Sequence, residues 1–333
     1  MAFLFYKITR IFNLPINQWV SMGFVALFGA LILPISASAQ LCSCASPPSV
    51  QASDAGTELA GTGTFSLSWD LHHIGNLYDG SDFLSDDDLE RSAQNLQFSL
   101  NYGLTDRIST TVSWNYVEQK LITSQTKEAS GFGDLSVLGK YQLHAPNFGA
   151  QYDLSIGAGV GIPTGDAYKR QNSILLQPDL QPGSGVWSGI LWGYFHQTFL
   201  PATNWNLLAT VLYQFNDDYQ RFPGADTDYH PGNQLFARLG TAWKHDSELQ
   251  LFFMSRFRHA TRHKVDGNEI FASGGSYLLG EAGVSVPVLS MLVLRVSGRI
   301  PVWQHVNGTQ PATSWGVTAG ISYQFQLSDR FSF

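Results

Sequence analysis

From Thr62 onward hydrophobic and polar residues alternate one for one, the period that sends successive side chains to opposite faces of a β-strand. Phe65, Leu67, Trp69 and Leu71 alternate with Thr64, Ser66, Ser68 and Asp70, and Leu96, Phe98, Leu100 and Tyr102 with Gln97, Ser99 and Asn101. After Thr105 and Asp106 the pattern resumes with Ile108, Val112, Trp114 and Tyr116 against Ser109, Thr111, Ser113 and Asn115, which reads as a hairpin. Further strands are predicted over 134–143, 151–162, 186–198, 205–216, 234–244, 249–258, 277–286, 291–302 and 315–325. The face of 186–198 is undecided, because Trp187, Leu191 and Phe195 compete with Ile190, Trp192 and Tyr194.

The connections alternate in length. Short turns fall near Thr105, Pro146, Ala202, Asp246 and Leu289, and long polar loops occupy 72–91, 118–130, 163–184, 217–231, 259–273 and 303–313. Such alternation, with one apolar parity and Trp and Tyr near strand ends, predicts an all-β fold: a transmembrane antiparallel up-and-down β-barrel of about twelve strands in a bacterial outer membrane. Periodicity alone would suit a β-sandwich equally well. The loop alternation and the N-terminal segment described next decide between them.

Lys7 and Arg10, an apolar stretch over 24–33, then Pro34 and the small residues Ala37, Ser38 and Ala39 read as a signal peptide over 1–39, with Met22 an alternative start. Residues 40–61 are expected to be a flexible periplasmic N-terminal tail and 62–333 the outer-membrane β-barrel. Cys42 and Cys44 lie in that tail. Gln40 and Leu41 before Cys42 do not fit a lipoprotein signal, and two thiols cannot complete a zinc shell. Charged residues make up 14% of the chain and aromatic ones 13%, with 32 glycines, a balance that suits strands and turns over a helical enzyme. Beyond the N-terminus no apolar run reaches the roughly 20 residues of a spanning helix. The net charge of −7 comes without a basic stripe, which argues against nucleic acid as a partner.

If the apolar parity faces lipid, the other parity lines a lumen. It carries Arg238, Lys244, Arg256, Arg258, Arg295 and Arg299, with Glu281 on the strand between Arg256 and Arg295. Asp70, Asp134, Lys140 and Asp153 are expected on the opposite wall, so that a field crosses the lumen. Two readings compete: a salt-bridge ladder that satisfies buried charge, and a selectivity ring for anionic or carboxylated solutes. The loop with Asp79, Asp82, Asp86, Asp87, Asp88 and Glu90 lacks EF-hand spacing and reads as solvated. Arg258, His259, Arg262, His263 and Lys264 are expected to meet lipopolysaccharide phosphates or anionic solutes. His259 and His263 are on no helix, so neither a metal nor a cofactor is expected. Gly157, Gly159 and Gly161 lack dinucleotide-binding spacing and are read as thinning the inner face. With no nucleophile elbow, HExxH or paired carboxylates, no catalytic residue is assigned. A barrel enzyme hydrolysing lipids or esters stays as the alternative, favoured if a Ser hydroxyl proves to lie within hydrogen-bond reach of a lumen or rim His.

Several short segments carry a resemblance. Gly131, Phe132, Gly133, Asp134 and Leu135 with Lys140 and Tyr141, then Gly157, Gly159 and Gly161 through Ile162, Pro163, Thr164, Gly165 and Asp166, resemble the family of outer-membrane barrels named for the meta pathway of phenol degradation. The likeness returns at Ser273, Gly274 and Gly275, at Ile300, Pro301 and Val302 with Val306, Asn307 and Gly308, and at Ser322, Tyr323, Gln324 and Phe325, so that it spans about 94–325. It implies an outer-membrane transporter, a passive or substrate-selective porin-like conduit for small solutes, without naming a particular one; together with the lumen arginines it makes aromatic or anionic compounds the expected solutes, with a closed structural barrel as the other outcome. The partners implied are outer-membrane lipid and lipopolysaccharide, the barrel assembly machinery and the small-molecule solute. Family chains stop at an aromatic matching Phe325, whereas this one continues to Phe333, and either phenylalanine is expected to serve as the terminal aromatic.

Overall fold

The computed structural model describes residues 56–84, 90–122, 126–147, 151–199, 204–217, 228–245 and 248–327. The predicted signal peptide, Cys42 and Cys44, Asp86 to Asp88 and Phe333 lie outside them. Among the described residues twelve long strands follow in chain order. They are β1 (Thr62–Ile74), β2 (Glu90–Gly103), β3 (Ile108–Ile122), β4 (Leu135–His144), β5 (Tyr152–Ile162), β6 (Ser188–Thr198), β7 (Trp205–Asn216), β8 (Gln234–Lys244), β9 (Gln250–Ala260), β10 (Gly275–Leu289), β11 (Leu292–Val306) and β12 (Trp315–Gln326). Each pairs antiparallel with its sequence neighbours, and β12 returns to β1 from His73↔Trp315 to Thr62↔Gln326, closing the sheet. Closure gives each of the twelve strands a paired neighbour on both sides, which is what a sheet needs in order to sit in hydrocarbon. The described residues contain no α-helix, only a single 3-10 turn over Pro178–Leu180.

The all-β barrel expected from the alternation is therefore present, and its faces are inverted relative to a soluble protein. Outside stand Phe65, Trp69, Leu100, Ile156 and Val211, all exposed, while Asp70, Gln97, Asn101, Thr111 and Ser113 are buried inside. An apolar exterior around a polar interior is the arrangement a bilayer imposes. The undecided strand resolves the same way: in β6, Ile190 and Trp192 are 2% and 4% exposed against 53% for Leu191, so the former pair faces inward.

The long loops are more ordered than their polarity suggests. β3 extends to Ile122 and pairs with Thr126–Phe132, because burial of Val117 and Leu121 against exposed Glu118 and Lys120 carries the period of two past the expected strand end. Asn76–Asp79 pairs with both Asp82–Leu84 and Thr309–Ala312. Lys264–Val265 pairs with Tyr229–His230 and Asn268–Glu269. Charged residues on the outer face of these hairpins had made them read as coil.

At the seam, Tyr323 is the register partner of both Phe65 and Leu292, and the Phe325 ring covers Gly63, where a Cβ would meet Phe325 Cζ at 2.6 Å. Deleting residues 326–333 should therefore leave most of the protein as a heat-modifiable folded barrel, whereas deleting 323–333 should abolish it. The folded fraction on unheated denaturing gels is the measurement, and equal losses from the two truncations would show that Phe325 does not suffice.

Candidate functional site inside the barrel

Arg238, Arg256, Glu281 and Arg299, on β8 to β11, form one connected tier with Asp70 on β1. Arg238 and Arg256 are register partners on β8 and β9, a repulsive arrangement that requires a counter-charge. Glu281 on β10 supplies it: its Oε2 accepts from Arg256 Nε and lies 3.6 Å from Arg238 Nη2. Glu281 in turn faces Arg299 of β11 in register. The Arg299 guanidinium reaches across β12 to Asp70 on β1, and Gly316 makes the path, since a Cβ there would come 2.6 Å from Arg299 Nε. Thr318 Oγ1 donates to Asp70 at 3.2 Å and accepts from Arg299 at 3.3 Å, and His72 Nε2 lies 3.1 Å from Asp70 and 2.9 Å from Arg299. Asp70 is thus beside the arginines, not across from them. The expectation of an opposing wall at this position is corrected by the closure of β12 on β1, which makes β1 and β11 next-nearest neighbours.

Arg258 is held differently, bonding Gln234 Oε1 at 3.0 Å between the rings of Phe236 and Tyr277. Arg295 stacks 4.0 Å above Phe252, with Nη2 3.7 Å from Met254 Sδ. Lys244 is at the exposed end of β8, 3.8 Å from Glu248, and takes no part in the interior.

Across β4 to β8 the inner face turns apolar: Leu138, Ile190, Trp192, Leu212 and Phe236 pack together with Tyr194 beside them. The row Gly157, Gly159 and Gly161 makes room for this wall, as a Cβ on Gly157 would stand 3.1 Å from Trp192. Lys140 is buried here, its ammonium 4.7 Å from the Trp192 ring centre and 3.3 Å from the Gly56 carbonyl. Residues 56–60, just ahead of β1, therefore lie inside the barrel. Asn101 also donates to Gly56 O, at 3.2 Å, and Thr64 and Asn101 both donate to the Glu58 carboxylate. A Cβ on Gly56 would approach Tyr194 and Asp153 on the far side. Asp153 itself accepts from Ser155 Oγ at 3.0 Å.

The other end of the barrel is narrowed by the segment between β5 and β6. Its 3-10 turn inserts Leu180, fully buried against Leu121, Ala129 and Leu176, and presents Asp179 to Arg91. Arg91 Nη1 donates to Asp179 Oδ2 at 2.7 Å, while Nη2 donates to the Asp179 carbonyl at 2.8 Å and to Gln119 Oε1 at 2.6 Å. Asp134, expected on a strand wall, precedes β4 and instead pins this segment, accepting from Gly165 N, Ser184 N and Ser184 Oγ. Asp179 lies in a predicted loop with no strand period to mark it, while Arg91 keeps the inward parity of Ala93, Asn95 and Gln97 but falls at the end of a predicted loop.

His263 is not displayed to solvent: its Nδ1 lies 2.7 Å from the Tyr229 hydroxyl and accepts from Gly232 N at 3.2 Å. Burial, with Arg258 and His230 adding repulsion, lowers its pKa from 6.5 to about 4. The unfolded loop takes up a proton below pH 6.5 that the folded loop refuses until about pH 4, so this contribution is complete above 6.5 and is lost on descending to 4. Proteolysis at 228–232 should accelerate over that window in the wild type, and His263→Gln should flatten the dependence. An unchanged pH profile in the variant would assign the effect elsewhere.

Two exposed Ser–His pairs occur at the same rim, Ser276 Oγ to His259 Nδ1 at 2.8 Å and Ser81 Oγ to His305 Nδ1 at 2.9 Å. Among the described residues neither imidazole has a carboxylate to orient it, so each pair lacks the third member of a nucleophilic triad.

Residues 96–302 match the model of the family described as "Putative MetA-pathway of phenol degradation". Among solved structures, the chain is similar to an outer membrane channel from Pseudomonas putida F1, at 14% identity over 84% of this chain and 100% of that one, with a TM-score of 0.67. It also matches the β domain of the Bordetella autotransporter BrkA, at 14% identity over 80% of this chain and 100% of that one, with a TM-score of 0.45. No curated protein matches. At such identity the channel shares the fold.

Proposed function

The chain belongs to the MetA-pathway family of phenol degradation, and from that premise we propose that it is a bacterial outer-membrane conduit for small solutes of aromatic or anionic character. The observation that carries the reading is the interior. Asp70, Gln97, Asn101, Thr111, Asn115 and Arg238 are turned inward, the kind of polar lining that a water-filled lumen carries. Polar side chains beside an aromatic wall offer both halves of what a phenolic or carboxylated solute needs. The channel of Pseudomonas putida with the same fold supports the reading as an analogue.

The charged tier, Arg238, Arg256, Arg258, Arg295 and Arg299 with Asp70 and Glu281, biases passage toward anions, while Asp134 and Asp153 act locally on the chain around them. The protein is not an enzyme in this reading. The segment 1–39 is a cleaved signal peptide, and insertion depends on the barrel assembly machinery, with lipid and lipopolysaccharide around the finished barrel. Planar-bilayer recordings of the purified protein test the proposal: discrete conductance steps with anion-biased reversal potentials are expected. An inserted, folded barrel that never conducts would overturn it in favour of a closed structural barrel.

A further inference from the structure

Two cavities lie in the half of the barrel nearer the short turns, and Arg295 is a wall of both. One, of about 250 Å³, is polar, with Ser66, Gln97, Asn101, Ser297 and the guanidiniums of Arg238 and Arg256 around it. The other, of about 210 Å³, is lined by Leu208, Ala242, Phe252 and Met254 together with the polar residues His196, Asn206, Thr241, Gln250 and Ser285. We propose that they form one two-part site for an amphipathic anion, with a carboxylate or chemically similar head held at Arg295 in the polar cavity and an apolar tail lodged against Phe252, Met254 and Leu208.

The charge balance supports it. Arg238, Arg256 and Arg295 border the polar cavity with Glu281 as their carboxylate, and Glu281 is engaged by Arg256 and Arg238. Among the described residues Arg295 forms no hydrogen bond or ion pair with a carboxylate: its close contacts are a ring face and a thioether, and the charge of Glu281, bonded to Arg256 and close to Arg238, reaches it only from a distance. A positive excess in a confined interior is costly, and an incoming carboxylate relieves it through paired N–H donors that match its own geometry. Phe252 joins the two parts physically. One face of its ring supports Arg295 and its side lines the second cavity, so the boundary between head and tail is set by a single side chain. A fully hydrophilic anion would leave Leu208, Phe252 and Met254 without a tail against them, and a neutral hydrocarbon would leave Arg295 without a bonded carboxylate.

The site deepens the conduit reading and rests on it, yet binding and conduction are separable measurements. The probe is 4-phenylbutyrate, titrated calorimetrically into the full barrel in nanodiscs of zwitterionic lipid, with 4-phenylbutanol and acetate as controls for tail and head. Binding of 4-phenylbutyrate should exceed either control by about tenfold or more, the worth of one charge-assisted hydrogen bond. Arg295→Gln should remove that advantage and Arg295→Lys restore part of it. Leu208→Trp, which fills the tail cavity and spares the charge, should weaken 4-phenylbutyrate and leave acetate unchanged. Gel heat-modifiability establishes that each variant is folded. Equal binding of acid and alcohol, or an Arg295→Gln barrel that binds as the wild type does, would overturn the site. Bilayer recordings on the same samples keep the two ideas apart: a conducting barrel that does not discriminate keeps the conduit and loses the site, and a binding barrel that passes no current does the reverse.

Discussion

Asp179→Asn should open the barrel at its long-loop end. The substitution removes the carboxylate from a buried pair and leaves the Arg91 guanidinium at 2% exposure without its counter-charge, a loss of roughly 3–5 kcal/mol for such pairs. That exceeds what a short inserted turn recovers from burying Leu180, worth about 1.5–3 kcal/mol, so the turn should leave the mouth. Single-channel conductance should rise, and a protease should cut between 163 and 187 where the wild type resists. The double variant Arg91→Met, Asp179→Leu replaces the pair with apolar groups of similar size and should restore both the resistance and the smaller conductance. If Asp179→Asn conducts and resists cleavage as the wild type does, the turn is held by packing alone.

The second large effect concerns the seam. Arg299→Gln should destabilise the barrel by about 3–5 kcal/mol, because Asp70 is then buried with His72 and Thr318 and without a cation. Asp70→Asn together with Arg299→Gln should cost less than the sum of the single changes, with a coupling of about 1–3 kcal/mol in a double-mutant cycle read from urea unfolding in micelles or lipid. Additive effects would mean that the two charges are independent. Selectivity should respond differently. Arg299 has the carboxylate of Asp70 to itself, whereas Arg256 and Arg238 share the one carboxylate of Glu281, so the loss of Arg299 should move reversal potentials less than Arg256→Gln does. Glu281→Gln, which uncovers Arg256 and Arg238, should strengthen anion preference.

These expectations could be framed only in part from the sequence. The alternation was enough to place β7 and β8 at the limits they occupy, 205–216 and 234–244, because both strands are long and bounded by turn residues. It also put Arg238, Arg256, Glu281, Arg295 and Arg299 on one parity, a local property of each strand. Which of them meet was not legible, since the Arg299–Asp70 bond depends on strands 229 residues apart and on the space left by Gly316. Asp179 was hidden for a related reason: a loop folded into a barrel obeys no period, and a buried carboxylate on it resembles any solvated one, while Arg91, in phase with Ala93 and Asn95, sits at the start of β2 beside an acidic stretch that masks where the strand begins. Asp134 misled through its position, one residue before a genuine strand.

One small detail joins the two ends of the described chain. Gly61, at φ +72, donates to Gly103 O at 3.0 Å, and its own carbonyl accepts from Leu327 N at 2.9 Å. The turn that sends residues 56–60 into the lumen is thereby built partly from the residue that follows the last strand. It follows that this turn is complete only when the final strand has zipped onto the first. Closing the wall and furnishing the interior then become one cooperative step, so a folding intermediate with an unzipped seam would be both leaky and unlined, and amide exchange at Gly61 and at Leu327 should report the same opening event.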